Sequence, residues 1–214
     1  MRRSITCFLL LLCGALLSGC AATVRSEISA INQLPADLAG KTYVVGKYKE
    51  QEGSLEYQRY ASLIAAELDA KGLKPAASFA AADLLLFFRY AVDQKTELVP
   101  TPIWGQTGYQ TGGTVVNAGG RAVYVPTYSV PVYGVTGSAD VPTLVNLRSL
   151  KLDVLDKTST AEKPVKLYES TVQSRGSSGQ LLQVMPLMIR ALFSRWPGPP
   201  TRIETIDTPL PRPQ

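Results

Sequence analysis

Residues 98–142 constrain the fold more than any other stretch of the chain. They carry eight glycines, five prolines and four tyrosines, and only Arg121 and Asp140 are charged. A structureless loop of that length does not fit inside a compact domain, so internal structure is expected. Thr114-Val115-Val116 and Ala122-Val123-Tyr124-Val125 flank Asn117-Ala118-Gly119-Gly120. That pattern predicts a β-hairpin with a glycine turn. Pro126 and Pro131 confine the following residues 128–134 to an edge or a loop. Low charge with exposed aromatics typifies interface cores. Trp104, Tyr109, Tyr124, Tyr128 and Tyr133 are therefore the candidate partner-binding residues. The alternative is a solvent-exposed hairpin and loop with no binding role.

The N-terminus is read from chemistry. Arg2 and Arg3 form a positive region, and an apolar core runs from Ile5 to Leu17. That core suits a secretory leader and is too short to span a bilayer as a helix. Leu17-Ser18-Gly19-Cys20 then has the form of a bacterial lipobox: an aliphatic residue, two small residues that fit a narrow peptidase cleft, and a thiol able to take a diacylglyceryl group as a thioether. The expectation is a leader over residues 1–19, cleavage between Gly19 and Cys20, and a lipid on Cys20. Ala21, where an Asp would favour retention in the inner membrane, points to the outer membrane and the periplasmic face. Acyl chains anchor stably, each buried CH2 contributing about 0.8 kcal/mol.

Cleavage would remove Cys7 and Cys13 and leave Cys20 occupied by lipid, so no disulfide is expected. Arg2 and Arg3 leave with the leader, and the formal charge falls from +5 to +3. That mild excess contains no Lys/Arg block, which argues against nucleic acid as a partner. After the leader the longest apolar run is Leu84 to Phe88, interrupted by Arg89.

Residues 20–40 read as the lipidated N-terminus and a tether, and residues 41–197 as one domain. Thr42-Tyr43-Val44-Val45 is the expected first strand. Gly53-Ser54 opens a helix in which Tyr57, Tyr60, Ala61, Ile64, Ala65 and Leu68 share one face. Lys71 and Gly72 close it. Leu84, Leu86, Phe88, Tyr90 and Val92 alternate as a strand. In residues 144–156 the apolar phase shifts at Arg148-Ser149, which predicts a bulge or bend. Residues 165–174 are the partner strand of a second hairpin. Ser177 and Gln180 form an expected capping box for a largely buried helix reaching to about Arg195. Pro186 should kink that helix or restart it near Met185. The proline-rich residues 198–214 read as an extended, mobile tail.

Catalytic chemistry is thinly supported. The chain has no histidine, so the commonest general base and the Ser-His and Cys-His pairs are missing. No S-x-x-K signature and no phosphate-cradling glycine loop occurs. Asp83, Asp153 and Asp156 stand at expected strand ends, where Asp usually bonds nearby backbone N–H groups. A carboxylate pair of the glycosidase kind is the remaining catalytic option. No metal site and no cofactor is expected beyond the lipid on Cys20.

Several of these pieces resemble a family of bacterial envelope lipoproteins known only as a domain of unknown function. They are Lys41-Thr42-Tyr43, Glu67-Leu68 with Lys71-Gly72-Leu73, Ala82-Asp83-Leu84, residues 150–156 reading LKLDVLD, and Leu192-Phe193 with Trp196-Pro197. The resemblance spans roughly residues 40–197 in patches. Residues 98–142 match poorly, and Tyr168-Glu169-Ser170 stands where the family often has Trp-Arg-Gly. It implies a small α/β periplasmic domain and supplies no catalytic residue. The order of elements predicts an α+β fold: a mostly antiparallel sheet with one or two helices packed on one face, plus a Gly/Tyr-rich β-arm. The functional expectation is a non-enzymatic scaffold or accessory subunit of an envelope assembly. Its partners would be the membrane through the lipid, and an envelope protein or a second copy. A glycan- or small-ligand-binding module is the alternative.

Overall fold

The computed structural model describes residues 23–210; Gly19, Cys20 and the leader lie outside them. It divides into two units. One comprises the described residues up to Asp93 together with Asn146 onward, and the other is Gln94–Val145.

The first unit is α+β. Seven strands form one mixed sheet: β1 (Thr23–Asn32), β2 (Thr42–Gly46), β3 (Lys74–Pro75), β4 (Leu84–Ala118), β5 (Arg121–Asp156), β6 (Lys166–Gly176) and β7 (Thr201–Pro209). Their order is β3-β2-β4-β5-β6-β1-β7. β2 pairs in parallel with β3 and β4. β1 pairs antiparallel with β6 and β7, and β5 antiparallel with β6. Two helices, α1 (Leu55–Ala70) and α2 (Leu181–Phe193), share the core with the sheet.

Local sequence explains most elements. Ser54 caps α1 by accepting from the Tyr57 amide at 3.1 Å. At the other end Gly72 has φ +86°; its amide donates to Asp69 O and that of Leu73 to Leu68 O, closing the helix with paired carbonyls. Tyr57, Tyr60, Ile64 and Leu68 are the buried face. Tyr57 stacks on Phe88 of β4 at 4.7 Å and donates to Gly46 O of β2, so one side chain joins helix and two strands. On β4, Leu84, Leu86 and Phe88 are buried, while Phe87 meets Tyr48 and Phe79.

Several sequence expectations need correction. Residues 23–32 are not a tether. They are β1, with neighbours on both sides and with Val24, Ser26, Ile28 and Ala30 buried in strict alternation. Thr42–Gly46 is consequently the second strand. The tail is not mobile over Thr201–Pro209, because the proline-free run between Pro200 and Pro209 pairs along β1 as an edge strand. No register shift occurs at Arg148-Ser149; the pairing of β5 with β6 runs unbroken from Asn146 to Val154 and shifts only between Val154 and Leu155. The apparent phase change arises because Asn146 and Arg148 occupy inward positions, buried in line with Leu150, Leu152 and Val154. Ser177 does not cap α2. The N-cap is Gln180, which makes no side-chain cap bond, and α2 runs unbroken through Pro186 to Phe193.

The second unit is a β-hairpin built from the distal parts of β4 and β5. Gly119 and Gly120 form the turn with φ +63° and +82°, the backbone a two-residue type I′ turn requires. The turn is shorter than the predicted four residues, and of the two readings of residues 128–134, an edge or a loop, they are strand, part of β5.

Replacing Phe88, 1 % exposed, with Ala should cost about 3–5 kcal/mol by cavity formation. Urea unfolding is the measurement, with the midpoint lowered and the m-value unchanged.

Candidate functional site

The carboxylates singled out by sequence are each engaged in hydrogen bonds or an ion pair. Asp83 accepts from the Thr42 amide at 3.1 Å and the Thr42 hydroxyl at 2.9 Å, while its own amide donates to Thr42 Oγ1 at 3.0 Å. Lys157 Nζ reaches Asp83 Oδ1 at 3.4 Å. This reciprocal clasp ties the start of β2 to the start of β4. The backbone amide and then the hydroxyl of Thr42 hold the Asp83 carboxyl below its ordinary pKa. Asp156 accepts from the Thr158 hydroxyl at 2.6 Å and the Thr158 amide at 2.8 Å, and these bonds lower its pKa likewise. Asp153 pairs with Lys166 at 3.3 Å.

Asp83 and Asp156 share a pocket of about 210 Å³ with Lys41, Lys157, Leu84 and Leu167. Glycosidase chemistry needs one carboxyl kept protonated and one ionised. Here the bonds from Thr42 and Thr158 favour the ionised form of Asp83 and Asp156. Among the described residues no three of His, Cys, Asp and Glu gather in a metal-ligating group.

The candidate contact residues are placed differently. Trp104 and Tyr109 lie on β4, and Tyr124, Tyr128 and Tyr133 on β5, all within Gln94–Val145. No residue of that unit is buried. Trp104 is 69 % exposed, and Tyr109, Tyr124, Tyr128 and Tyr133 are all more than half exposed. Valines 115, 123, 130 and 135 add exposed apolar surface. Three hydroxyls are satisfied within the ribbon: Thr107 donates to Val132 O, Thr127 to Gly112 O and Thr136 to Ile103 O, at 3.1–3.2 Å.

Sequence reasoning missed the residues at the root of this hairpin. Arg148, 4 % exposed, donates from Nε to Ser174 O, from Nη2 to Ser174 Oγ and from Nη1 to Ser178 O, at 3.2–3.4 Å. Desolvation lowers its pKa. Asn146 Nδ2 donates to Ser177 O at 2.8 Å. Their signal was the two polar residues standing at inward positions of an otherwise apolar phase.

The sequence profile of a domain of unknown function, DUF4136, matches residues 32–198. The chain belongs to that family. Most of β1 and all of β7 fall outside the matched span. No curated protein matches the chain. Among solved structures it is similar to a PDZ domain protein from Parabacteroides distasonis, at 15 % identity and TM-score 0.42 over 90 % of this chain but only 40 % of that one. It is similar to PelC from Paraburkholderia phytofirmans, a dodecamer, at 16 % identity and TM-score 0.39 over 79 % of this chain and 95 % of that one. A DUF4136 family protein from Bacteroides thetaiotaomicron gives 13 % identity and TM-score 0.40 over 78 % and 91 %.

The clasp predicts a pH signature. A carboxyl whose pKa is lowered on folding stabilises the fold above its ordinary value of 3.8, and that contribution is lost as pH falls through the lower folded value. Asp83→Asn should therefore unfold at a lower denaturant concentration than the parent at pH 7. The two proteins should converge below pH 4, and a gap that persists unchanged to pH 2.5 would show that the charge of Asp83 is immaterial.

Proposed function

We propose that this chain is a non-enzymatic envelope scaffold, held at the periplasmic face of the outer membrane by a lipid on Cys20. Its contact surface is the hairpin Gln94–Val145, a Gly/Tyr-rich β-arm on an α+β domain whose sheet is mostly antiparallel. The observation that carries this reading is a long ribbon with five exposed aromatic rings and no buried residue. An isolated two-stranded hairpin is marginal in water, and exposed apolar surface of this extent marks an interaction site. The lipobox sequence Leu17-Ser18-Gly19-Cys20 supports an envelope location. The non-enzymatic reading draws on the missing histidine and on carboxylates engaged in turns and clasps.

Two experiments test this. Cys20→Ser should move the protein from the membrane pellet to the soluble periplasmic fraction and abolish labelling by radioactive palmitate; retention of both would remove the anchor. Replacing Trp104, Tyr109, Tyr124, Tyr128 and Tyr133 together with Ser should leave the thermal midpoint unchanged. A fall of several degrees would assign the rings to packing within the protein. The glycan reading rests on the same exposed rings. It predicts that peptidoglycan fragments quench Trp104 fluorescence, which the scaffold reading does not.

A further inference from the structure

Strand order and direction place the hairpin's two roots at the same end of the sheet as the N-terminus. β1 starts at Thr23, three residues after Cys20. A chain covers at most about 3.3–3.6 Å per residue, so a lipidated Cys20 lies within roughly 11 Å of the strand. β1 is antiparallel to β6, and β6 to β5. Glu27 is aligned with Gln173 and Gln173 with Ser149; three residues further toward the start of β1, Gly176 pairs with Asn146. Asn146, where β5 enters the first unit, therefore stands at the β1 start with only β6 between them, about 10 Å away at ordinary strand spacing. β4 is joined to β5 by the tight Gly119-Gly120 turn, runs opposite to it, and leaves the first unit at Asp93 by that same end. The charged clasp of Thr42, Asp83 and Lys157 occupies the opposite end, where β2 and β4 begin and β5 finishes.

We infer that the exposed surface of the hairpin Gln94–Val145 is covered by the bilayer to which Cys20 is anchored, with the ribbon lying in the headgroup and interfacial layer. The inference rests on the Cys20 anchor proposed above and names the occupant of its contact surface. The chemistry fits that layer. Tyr and Trp favour the membrane–water interface, and the hairpin carries Trp104 and four tyrosines among valines, with only Arg121 and Asp140 charged between residues 98 and 142. The hydroxyls of Thr107, Thr127 and Thr136 already bond within the ribbon, which reduces the cost of moving them out of bulk water. The ribbon does not cross the hydrocarbon. Among the described residues no third strand pairs with it, and hydrocarbon does not tolerate open strand edges, which headgroup water can satisfy. Pro100, Pro102, Pro126 and Pro131 also interrupt any edge along which copies could close a barrel.

The chain has two tryptophans, Trp104 in the hairpin and Trp196, which is 4 % exposed. The test uses the full processed chain, purified from bacterial membranes and reconstituted into phosphatidylethanolamine/phosphatidylglycerol vesicles. Parallel vesicles carry lipids brominated close to the headgroup or deep in the acyl chain. The mass of the N-terminal peptide is read from the same sample. The expected result is an acylated Cys20 and Trp emission quenched more by shallow than by deep bromines, with that quenching lost in Trp104→Phe. An acylated Cys20 with emission indifferent to bromine overturns the docking and leaves the anchor standing. An unmodified Cys20 overturns both. Stronger quenching by deep bromines overturns the interfacial placement. A photo-crosslinker at Tyr124 should yield phospholipid adducts in the same vesicles and in cells; a single dominant protein adduct in cells would assign the surface to a protein instead.

Discussion

The size of the inward side chains on β1 governs how the first unit packs. Val24, Ser26, Ile28 and Ala30 alternate into the core, and the adjacent β6 offers Ser170, Val172 and Ser174 on the same side. Small residues on two neighbouring strands leave room for α2, whose Met185, Met188, Leu192 and Phe193 are all fully buried. Larger residues at Ser26 or Ala30 would overpack a core built to this spacing. β1 also carries β7 along nearly its whole length. β7 in turn supplies Arg202, which donates to Leu192 O at 3.0 Å and pairs with Glu204. A cation bonded to a free carbonyl at a helix C-terminus stabilises that end through both the hydrogen bond and the dipole. The last turn of α2, the edge strand and the strand nearest the lipobox thus depend on one another.

This dependence explains which parts of the fold were legible in sequence. α1 was legible because its cap, its period and its stop are local and agree. β4 was legible because large alternating side chains leave no other reading after Phe88. β1 was not, since two of its four inward residues, Ser26 and Ala30, are small and its outward ones, Arg25, Glu27 and Ser29, resemble a solvated linker. β7 was hidden by the prolines around it; its partner lies at the other end of the chain, and no local pattern signals that pairing. The α2 cap was misplaced by three residues because Ser177 and Ser178 suit a cap chemically, while Ser177 O is occupied by Asn146 and Ser178 O by Arg148.

The candidate site divides along similar lines. The five rings of the hairpin could be singled out from sequence because charge depletion is a property of composition. Their exposure was expected on either reading of that stretch, and all five rings are more than half exposed. The hairpin is unusual in pairing strong β-propensity with no core of its own. Its backbone conformation is well specified by a turn that only glycine satisfies easily at both positions. Some side chains do pack across the hairpin: the Tyr128 ring lies over Gly112 and the Tyr124 ring over Gly113, while most of the apolar surface stays exposed.

Arg148 shows how the root of that hairpin is fixed. It is a buried cation that donates to neutral oxygens of Ser174 and Ser178. Its charge is delocalised over a weakly hydrated plane, which makes arginine better suited to such a position than lysine. The planar group lies over Gly176, where an added Cβ would stand 2.5 Å from Nη2. Any larger residue at 176 would force the guanidinium to shift. Shortening Arg148 would instead leave Ser174 and Ser178 short of donors inside the protein, a cost set by desolvation of those oxygens. The glycine and the arginine are therefore a matched pair across the β5–β6 register. They hold β5 where it enters the sheet, one strand away from the start of β1.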